Sequence, residues 1–469
     1  MRLKDELEAI VGPGVITDEA ASLALHARDK WFASREPDLV ALPTTTQEVS
    51  AILRFAHERR IPVTPRGAGV GYVGGCVPSQ GGIALSLARM TRIKEIHAAD
   101  GVAVVEPGVI TGHLQAAVRE QNLFYPPDPA SLKECSIGGN IATNAGGPRC
   151  LKYGVTRNYI LGLEVVLANG DILRAGGRTH KNKTGFDLVG LFVGSEGLLG
   201  VVTEATLRLI PLPPARATIS ASFSTFSQAA DAVQKVLGAG FLPAALEIAD
   251  SFTLQAAREF LGDARIPAGE GHLLIDLDGQ PGSVALEAGE LTRLVQGLGA
   301  LHCESAQGEQ ACEALWELRR QFSQSLKSTG LTKLNEDIVV PRGRLVDLAR
   351  FAAGLRERYG FPVACFGHAG DGNIHTNLMA AHYDEPEVRA RMETALDELF
   401  AQVLEWGGSI TGEHGIGLAK KRWWPQATSP VNREVHAALK TALDPAGILN
   451  PGKFVAPQPP PGPDANRES

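Results

Sequence analysis

What the chain lacks narrows it first. Its 469 residues contain six cysteines, Cys76, Cys135, Cys150, Cys303, Cys312 and Cys365, and no CxxC pair. That spacing argues against a zinc ribbon, a cysteine-ligated iron–sulfur cluster or a disulfide scaffold, and it suits a reducing cytoplasm. No run of about 18 apolar residues exists, so no transmembrane helix is expected. The opening Met1-Arg2-Leu3-Lys4-Asp5-Glu6 has neither the apolar core of a signal peptide nor the acid-poor makeup of a transit peptide. The expected location is therefore the cytoplasm, or the inner face of the membrane through a partner. A formal net charge of −7, with no Lys/Arg-rich stripe, offers no surface to nucleic acid. Internal repeats are absent as well.

What is abundant is glycine. The 52 glycines cluster, so the backbone must approach something closely at those places. The rest of the composition, 44% hydrophobic and 21% charged, is that of an ordinary globular protein. At this length two or three domains are expected. Thr45 and Glu48 form a capping-box pattern ahead of Val49, Ile52, Leu53 and Ala56, which predicts a helix over 45–60. Strands are predicted at 61–64, 82–87, 102–105, 163–167 and 205–210, with Asn169-Gly170-Asp171 as a hairpin turn. The run Pro211-Leu212-Pro213-Pro214 reads as a domain boundary. Beyond residue 216 strands alternate with amphipathic helices such as 227–237, the texture of an α+β domain. A last helix near Val435, Leu439 and Leu443 stops at Asp444-Pro445, and the proline-rich tail 457–469 is expected to be disordered.

The first glycine cluster is Pro65-Arg66-Gly67-Ala68-Gly69-Val70-Gly71-Tyr72-Val73-Gly74-Gly75. Successive N–H groups there can converge on an anion, with Arg66 adding a forked contact, and a diphosphate suits such a site. The loop is not a Rossmann fingerprint, because no acidic residue ends a second strand about 20 residues later, and no Gly-Lys-Ser/Thr makes it a Walker loop. Taken alone it could be a turn between two strands. The second cluster, Tyr125 to Ser131 running into Cys135 to Gly147, sets Asn140, Thr143 and Asn144 among four glycines. Short polar side chains between glycines allow direct hydrogen bonds to a flat, polar-edged ligand. Lys152-Tyr153-Gly154 and Gly194-Ser195-Glu196-Gly197-Leu198-Leu199-Gly200 add two more close-approach segments.

Further along, His368 and His375 flank a glycine-rich turn, and Gly412-Glu413-His414-Gly415 follows. A lone histidine is more often structural than a ligand. Two imidazoles and a carboxylate in glycine-framed segments can instead make an open three-ligand metal site with room for substrate oxygens.

Together, PRGAGVGYVGG, PPDPASLKECSIGGNIATNAGG, KYGVTRNYILGLEVVLANGD and LFVGSEGLLGVVTEATLRL resemble the PCMH-type FAD-binding fold of the vanillyl-alcohol-oxidase family. Within it the likeness is to glycolate oxidase flavoprotein subunits, D-lactate dehydrogenases and D-2-hydroxyglutarate dehydrogenases, over about residues 36–455. The resemblance implies an α+β, two-domain fold: an FAD-binding domain at 1–212 and an α+β substrate (cap) domain with the metal site at 213–422. Residues 423–456 would return to the FAD domain. It implies that Arg66, Gly67, Ala68, Gly69, Val70 and Gly71 hold the FAD pyrophosphate. Pro127, Asp128, Ser131, Cys135, Gly138, Asn140, Thr143, Asn144 and Gly146 would lie along the isoalloxazine, with Tyr153, Gly154, Gly200 and Val201 as further contacts. Asn450 would reach the flavin's pyrimidine edge or its phosphates, unless Asn450-Pro451-Gly452-Lys453 is a plain turn. Ala68 stands where relatives with covalent flavin carry His or Cys, so non-covalent FAD is expected, with Cys150 the one candidate against it.

The same resemblance matches His368, His375 and Glu413 to metal ligands, zinc first and manganese or iron as alternatives, and Asn377 and His414 to substrate contacts. Arg319, in Trp316-Glu317-Leu318-Arg319, matches the arginine that binds the substrate carboxylate, and Ser323 replaces a common threonine. One departure is Lys333, eight residues before Pro341 rather than six, which speaks against a second-carboxylate contact and for a small monoacid. The activity implied is oxidation of a small 2-hydroxy acid, glycolate or D-lactate, with His414 as base, Arg319 gripping the carboxylate and hydride passing to flavin N5. Two hydroxyglutarate-free alternatives belong to other classes: a non-redox flavoenzyme like alkylglycerone-phosphate synthase, and an electron-transfer subunit needing an iron–sulfur partner. D-2-hydroxyglutarate dehydrogenase is the alternative within the same class. An iron–sulfur or other acceptor protein is an implied partner, and a homodimer is compatible with the sequence.

Overall fold

The computed structural model describes residues 2–262 and 266–458, so residues 459–469 of the proline-rich tail lie outside the described residues. The first half carries two main sheets. Strands β1 (Ile16–Thr17), β2 (Leu39–Ala41), β3 (Val63–Arg66) and β4 (Ile83–Ser86) make a small sheet in the order β1-β2-β4-β3, with β2 and β3 parallel to β4. Between β2 and β3 lies helix α1 (Thr46–Arg59). Thr45 caps it: its hydroxyl accepts from Glu48 N at 3.2 Å while the Glu48 carboxylate accepts from Thr45 N at 3.3 Å. Val49, Ile52 and Leu53 form its fully buried face, each such side chain stabilising the fold by about 1.5–3 kcal/mol. β3 begins two residues later than predicted, because Ile61 N is spent on Ala56 O at the helix end and Pro62 has no N–H to give.

The second sheet, β5 (Ile93–His97), β6 (Val102–Val105), β7 (Ile160–Val166), β8 (Ile172–Gly176) and β9 (Val201–Arg208), is antiparallel in the order β5-β6-β9-β7-β8. β7 and β8 are joined by the predicted turn, with Gly170 at φ 85°. A short helix, α2 (Ile137–Thr143), buries Ile137 and Ile141 in the core of this second sheet.

From Ala215 the chain builds a seven-stranded antiparallel sheet. Its members are β10 (Ala215–Phe223), β11 (Ala245–Ala249), β12 (Gly271–Gly279), β13 (His302–Gln307), β14 (Thr332–Val339), β15 (Val363–His368) and β16 (Asn373–Ala380). Their order is β13-β10-β12-β11-β15-β16-β14. Helix α3 (Glu309–Ser328) packs against it. Lys152 Nζ (2.5 Å) and Tyr153 Oη (2.8 Å) both donate to the Asp278 carboxylate, joining the first half to this sheet. Among the described residues no helix is long and apolar enough to cross a membrane.

The chain finally returns to the first half through α4 (Pro430–Leu443). Lys440, 1% exposed, donates to Asp444 Oδ2 (2.6 Å) and to the carbonyls of Leu198 and Leu449 (2.7 Å each). That bolt lets Leu449 bridge to Val63 of β3. Replacing Lys440 with methionine strands a buried carboxylate and is expected to cost about 3–5 kcal/mol. A lower thermal midpoint would register that loss, and an unchanged midpoint would show the bolt to be dispensable.

Candidate active site

A cavity of about 380 Å³ opens between the glycine loop 65–75, the loop 129–136, α2 and residues 195–202, and Glu413 and His414 from the second half close one side of it. The backbone approach there is tight: a Cβ on Gly67 would lie 2.6 Å from Ser136 Oγ and 3.1 Å from Gly139 N. Ser136 Oγ in turn accepts from Ala68 N (3.2 Å) and Gly139 N (3.4 Å), which locks the loop onto α2. A glycine-walled trough of this kind is what an extended dinucleotide requires.

Arg66, Gly67, Ala68, Gly69, Val70, Gly71, Ser131, Cys135, Gly138, Asn140, Thr143, Gly200 and Val201 line this cavity. Among them, Arg66 and Asn140 hold protein partners of their own. Arg66, expected to fork onto a diphosphate, instead donates to the carbonyls of Arg28 (2.8 Å) and Leu25 (3.3 Å) and to Cys76 Sγ (3.2 Å), tying the loop to the N-terminal segment. Asn140 spends its amide nitrogen on Thr111 Oγ1 at 2.6 Å.

Pro127, Asp128, Asn144, Gly146, Tyr153, Gly154 and Asn450 stand outside the lining, for visible reasons. Pro127 O accepts from Gln115 Nε2 and Asp128 Oδ1 from Arg149 N. Asn144 Oδ1 accepts from Arg157 N, Tyr153 is bound to Asp278, and Gly154 at φ 80° ends a short helix. Asn450 Nδ2 donates to Gly75 O (2.9 Å) and Glu196 O (2.8 Å), so it braces two cavity segments from behind. Gly146 packs on the Glu413 side chain, where a Cβ would meet Glu413 Cβ at 3.5 Å. Cys150 also lies outside the lining; its sulfur accepts from Gly147 N, and burial pushes its thiol pKa far up.

At the cavity's end three groups converge. His368 ends β15, His375 lies on β16 and Glu413 on the following loop, and one ligand atom from each falls within 4.8 Å of the others. His368 Nδ1 is bonded to Glu247 Oε1 at 2.6 Å, directly across from it on β11, and Glu247 Oε2 accepts from Arg319 Nε at 2.5 Å. That pairing makes Nδ1 a donor and leaves Nε2, buried and without a hydrogen-bond partner, 3.9 Å from Glu413 Oε2. His375 Nε2 lies 3.4 Å from Glu413 Oε1. Burial pushes the Glu413 carboxyl up to about 7 and holds His375 well below its usual value. Burial also opposes a charged His368, but the Glu247 carboxylate outweighs it and raises that pKa to about 9. A buried carboxyl facing two imidazoles, one of them with a ring nitrogen that has no hydrogen-bond partner, suits a divalent cation, which would take the place of the His368 Nε2 proton.

Asp337, fully buried on β14, organises the neighbouring loop. Its Oδ2 accepts from the backbone N–H of Gly412, Glu413 and His414 (2.9, 2.8 and 2.9 Å) and from Thr411 Oγ1 (3.1 Å). Burial opposes its charge, yet His414, Lys420 and those donors hold its pKa well below the usual range. The His414 ring lies between His375 and Tyr72, and burial pushes its pKa down to about 4, below the usual value for a histidine. Asn377 is buried, donates to the carbonyls of Ala364 and His375, and keeps an unpartnered Oδ1.

Lys333 corrects the spacing argument. Asn335 pairs with Asn377 and Asp337 with His375, so Lys333, two residues before Asn335, is on the same sheet face as the cluster. Its Nζ is 3.2 Å from the hydroxyl of Ser323, a cavity residue, and burial lowers its pKa to about 8. Strand register, not the count to the next proline, decides where it points. Glu247, Asp337 and Tyr72 were not singled out from the sequence. Glu247 had a signal, an acid inside the wholly apolar Leu246-Glu247-Ile248.

Comparison with known proteins shows the family. Residues 37–176 match the family model for an FAD binding domain, and residues 212–454 match that for the C-terminal domain of FAD linked oxidases. Among curated relatives, glycolate oxidase subunit GlcD of Bacillus subtilis (strain 168) is 39% identical over 97% of each chain. The D-lactate dehydrogenase of Anaerostipes hadrus is 32% identical over 94% of each, and the D-2-hydroxyglutarate dehydrogenase of Stutzerimonas stutzeri (strain A1501) is 34% identical over 97% of this chain and 99% of the relative. The solved structure of p-cresol methylhydroxylase with substrate bound superposes with a TM-score of 0.80 at 20% identity, covering 96% of each chain, and shares the fold. The chain belongs to the FAD-linked oxidases: it is an FAD-dependent oxidoreductase with a PCMH-type FAD-binding fold.

Proposed function

We propose that the protein dehydrogenates a small 2-hydroxy acid, glycolate or D-lactate, with a divalent ion held by His368, His375 and Glu413. The observation that carries this reading is the orphaned Nε2 of His368 facing His375 and Glu413 at the end of the nucleotide cavity. Two imidazoles and one carboxylate with an open position favour zinc, manganese and iron being the alternatives. When bound, FAD supplies the hydride acceptor and the divalent ion supplies a Lewis acid that acidifies the substrate hydroxyl. Ala68 offers no nucleophile to the flavin, so attachment is non-covalent.

The chain's own residues do the rest. Arg319, with Nε fixed by Glu247, keeps both terminal nitrogens for the substrate carboxylate and so sets which face of Cα meets the flavin. Burial keeps His414 neutral, and the Asp337 carboxylate 3.8 Å from Nδ1 favours the proton there. That leaves Nε2 to accept the hydroxyl proton, and Asp337 then balances the imidazolium. Asn377, two residues from His375 on β16 and so on the same sheet face, keeps an unpartnered Oδ1 as an acceptor. A cytoplasmic electron-acceptor protein or small acceptor reoxidises the flavin.

Lys333 favours a second reading, an acid with another anionic group such as 2-hydroxyglutarate. Lys333→Met is then expected to raise KM for 2-hydroxyglutarate on the order of tenfold or more while sparing D-lactate. Equal effects on both acids would remove this reading.

The test of the main reading is anaerobic titration of the flavoprotein with D-lactate, L-lactate, glycolate and D-2-hydroxyglutarate, before and after EDTA. Bleaching by a D-acid or glycolate, lost with EDTA and restored by zinc or manganese, is the expected result. A flavin that no acid reduces would eliminate dehydrogenation and bring forward the non-redox synthase chemistry. Bleaching indifferent to EDTA would eliminate the metal.

A further inference from the structure

His414 lies between two rings from different parts of the chain. His375 is on one side, with ring centroids 5.7 Å apart and planes 20° apart. Tyr72, from the glycine loop, is on the other at 5.3 Å and 30°. Lys30 Nζ is 5.9 Å from the Tyr72 ring. A column Lys30–Tyr72–His414–His375 thus connects the wall of the nucleotide cavity to the cation-type cluster.

The column matters because little else fixes the His414 ring. Asp337 pins its backbone N–H, but ring nitrogen Nδ1 has no hydrogen-bond partner, and Asp337 Oδ2 and Glu413 Oε1 are each 3.8 Å from the ring nitrogens. The outer torsion of a histidine is broad and roughly two-fold, so an unbonded imidazole can turn. The two neighbouring rings restrict that freedom: His375 stacks on it from β16, and Tyr72 lies against it, tilted by 30°, from the glycine loop.

We propose that Tyr72 is the positioning residue of His414: its ring, carried on the nucleotide loop, holds the imidazole plane so that Nε2 faces the reacting hydroxyl. Tyr72 acts through His414 rather than on the substrate. Because the ring rides on the nucleotide loop, alignment of the base is tied to the conformation of that loop. The inference rests on the reading of His414 as the base.

Tyr72→Leu and Tyr72→Phe, made in the full chain and purified with flavin, test it. Flavin content and thermal midpoint are measured first, then kcat and KM with the preferred acid, and then the ring signals of carbon-labelled histidines, with His414 assigned by its loss in His414→Ala. The expected result is that Tyr72→Leu lowers kcat by about tenfold to a hundredfold, moves KM little and shifts the His414 signal. Tyr72→Phe, which keeps the ring, recovers most of kcat and leaves that signal near its place. Full kcat in Tyr72→Leu overturns the proposal, as does a raised KM at unchanged kcat, which would make Tyr72 a wall and nothing more. A Tyr72→Phe protein as slow as Tyr72→Leu also overturns it, because the hydroxyl would then be the active part. If the unaltered protein oxidises no hydroxy acid, the reading of His414 as base fails separately. The histidine signal then still decides the stack, and a signal unmoved in Tyr72→Leu overturns it.

Discussion

Replacing His414 with alanine is expected to lower kcat by about a hundredfold to ten-thousandfold, the range a positioned general base contributes, while FAD and metal remain bound. His414 is not one of the three clustered ligand groups, so the cluster's donors survive the change. Its backbone N–H still donates to Asp337, so the loop that carries Glu413 keeps its anchor. The pH dependence separates His414 from any other base. Burial lowers its pKa to about 4, so it is already a free base at neutral pH and is lost only on acidification toward that value. A bound dication nearby would move the limit lower still, because like charge disfavours the imidazolium. The unaltered enzyme should therefore show kcat/KM flat from neutrality down to mildly acidic pH. An ascending limb centred near the ordinary histidine value of about 6.5 would point to a solvent-exposed base instead. Full turnover in His414→Ala would exclude it altogether.

How much of this could be read beforehand depended on what each residue's role leaves in the sequence. The glycine loop was legible because close backbone approach demands glycine whatever the fold, and Gly67 against Ser136 is such a contact. His368, His375 and Glu413 were legible because ligand types in glycine-framed segments are rare by chance, and the antiparallel β15–β16 pair brings them together. Arg66 shows what the sequence leaves out: it lines the cavity as the loop suggests, but only the path of residues 25–28 shows that part of its guanidinium is bound to their carbonyls. The place of Lys333 was not legible either, because strand register and not distance along the chain sets the sheet face it occupies. Asp337 could not be told from Glu336 by type, since alternation on a strand places one acid on the cluster face and the other away from it without saying which. Supporting groups of this kind are set by cross-strand register, which a single sequence does not print.

Glu247 is the sharpest case, and its replacement carries the second large effect. It is 1% exposed, and its two oxygens take Nδ1 of His368 and Nε of Arg319, so one carboxylate orients both a ligand-type imidazole and the arginine proposed to bind the substrate. Burial works against its charge, but His368 and Arg319 overcome that and hold its pKa down to about 2. A carboxylate depressed in this way stabilises the fold above its unfolded value, and that contribution is lost as the pH falls from about 4.5 toward about 2. Glutamine has one acceptor where glutamate has two, so Glu247→Gln forces an N–H group against either His368 Nδ1–H or the arginine. Turning the imidazole over to escape would put a proton on Nε2, the nitrogen aimed at Glu413. The expected result is zinc affinity lower by about ten- to a hundredfold, the usual loss when a partner behind a metal-bound histidine is removed, together with a raised KM for the hydroxy acid. Glu247→Asp keeps the charge but is one methylene short of bridging both partners, so it should recover one of the two losses and not the other. Competition with a chromophoric chelator measures the first effect and initial rates the second. Wild-type zinc affinity and wild-type KM in Glu247→Gln would mean that the imidazole and the arginine are held by packing alone.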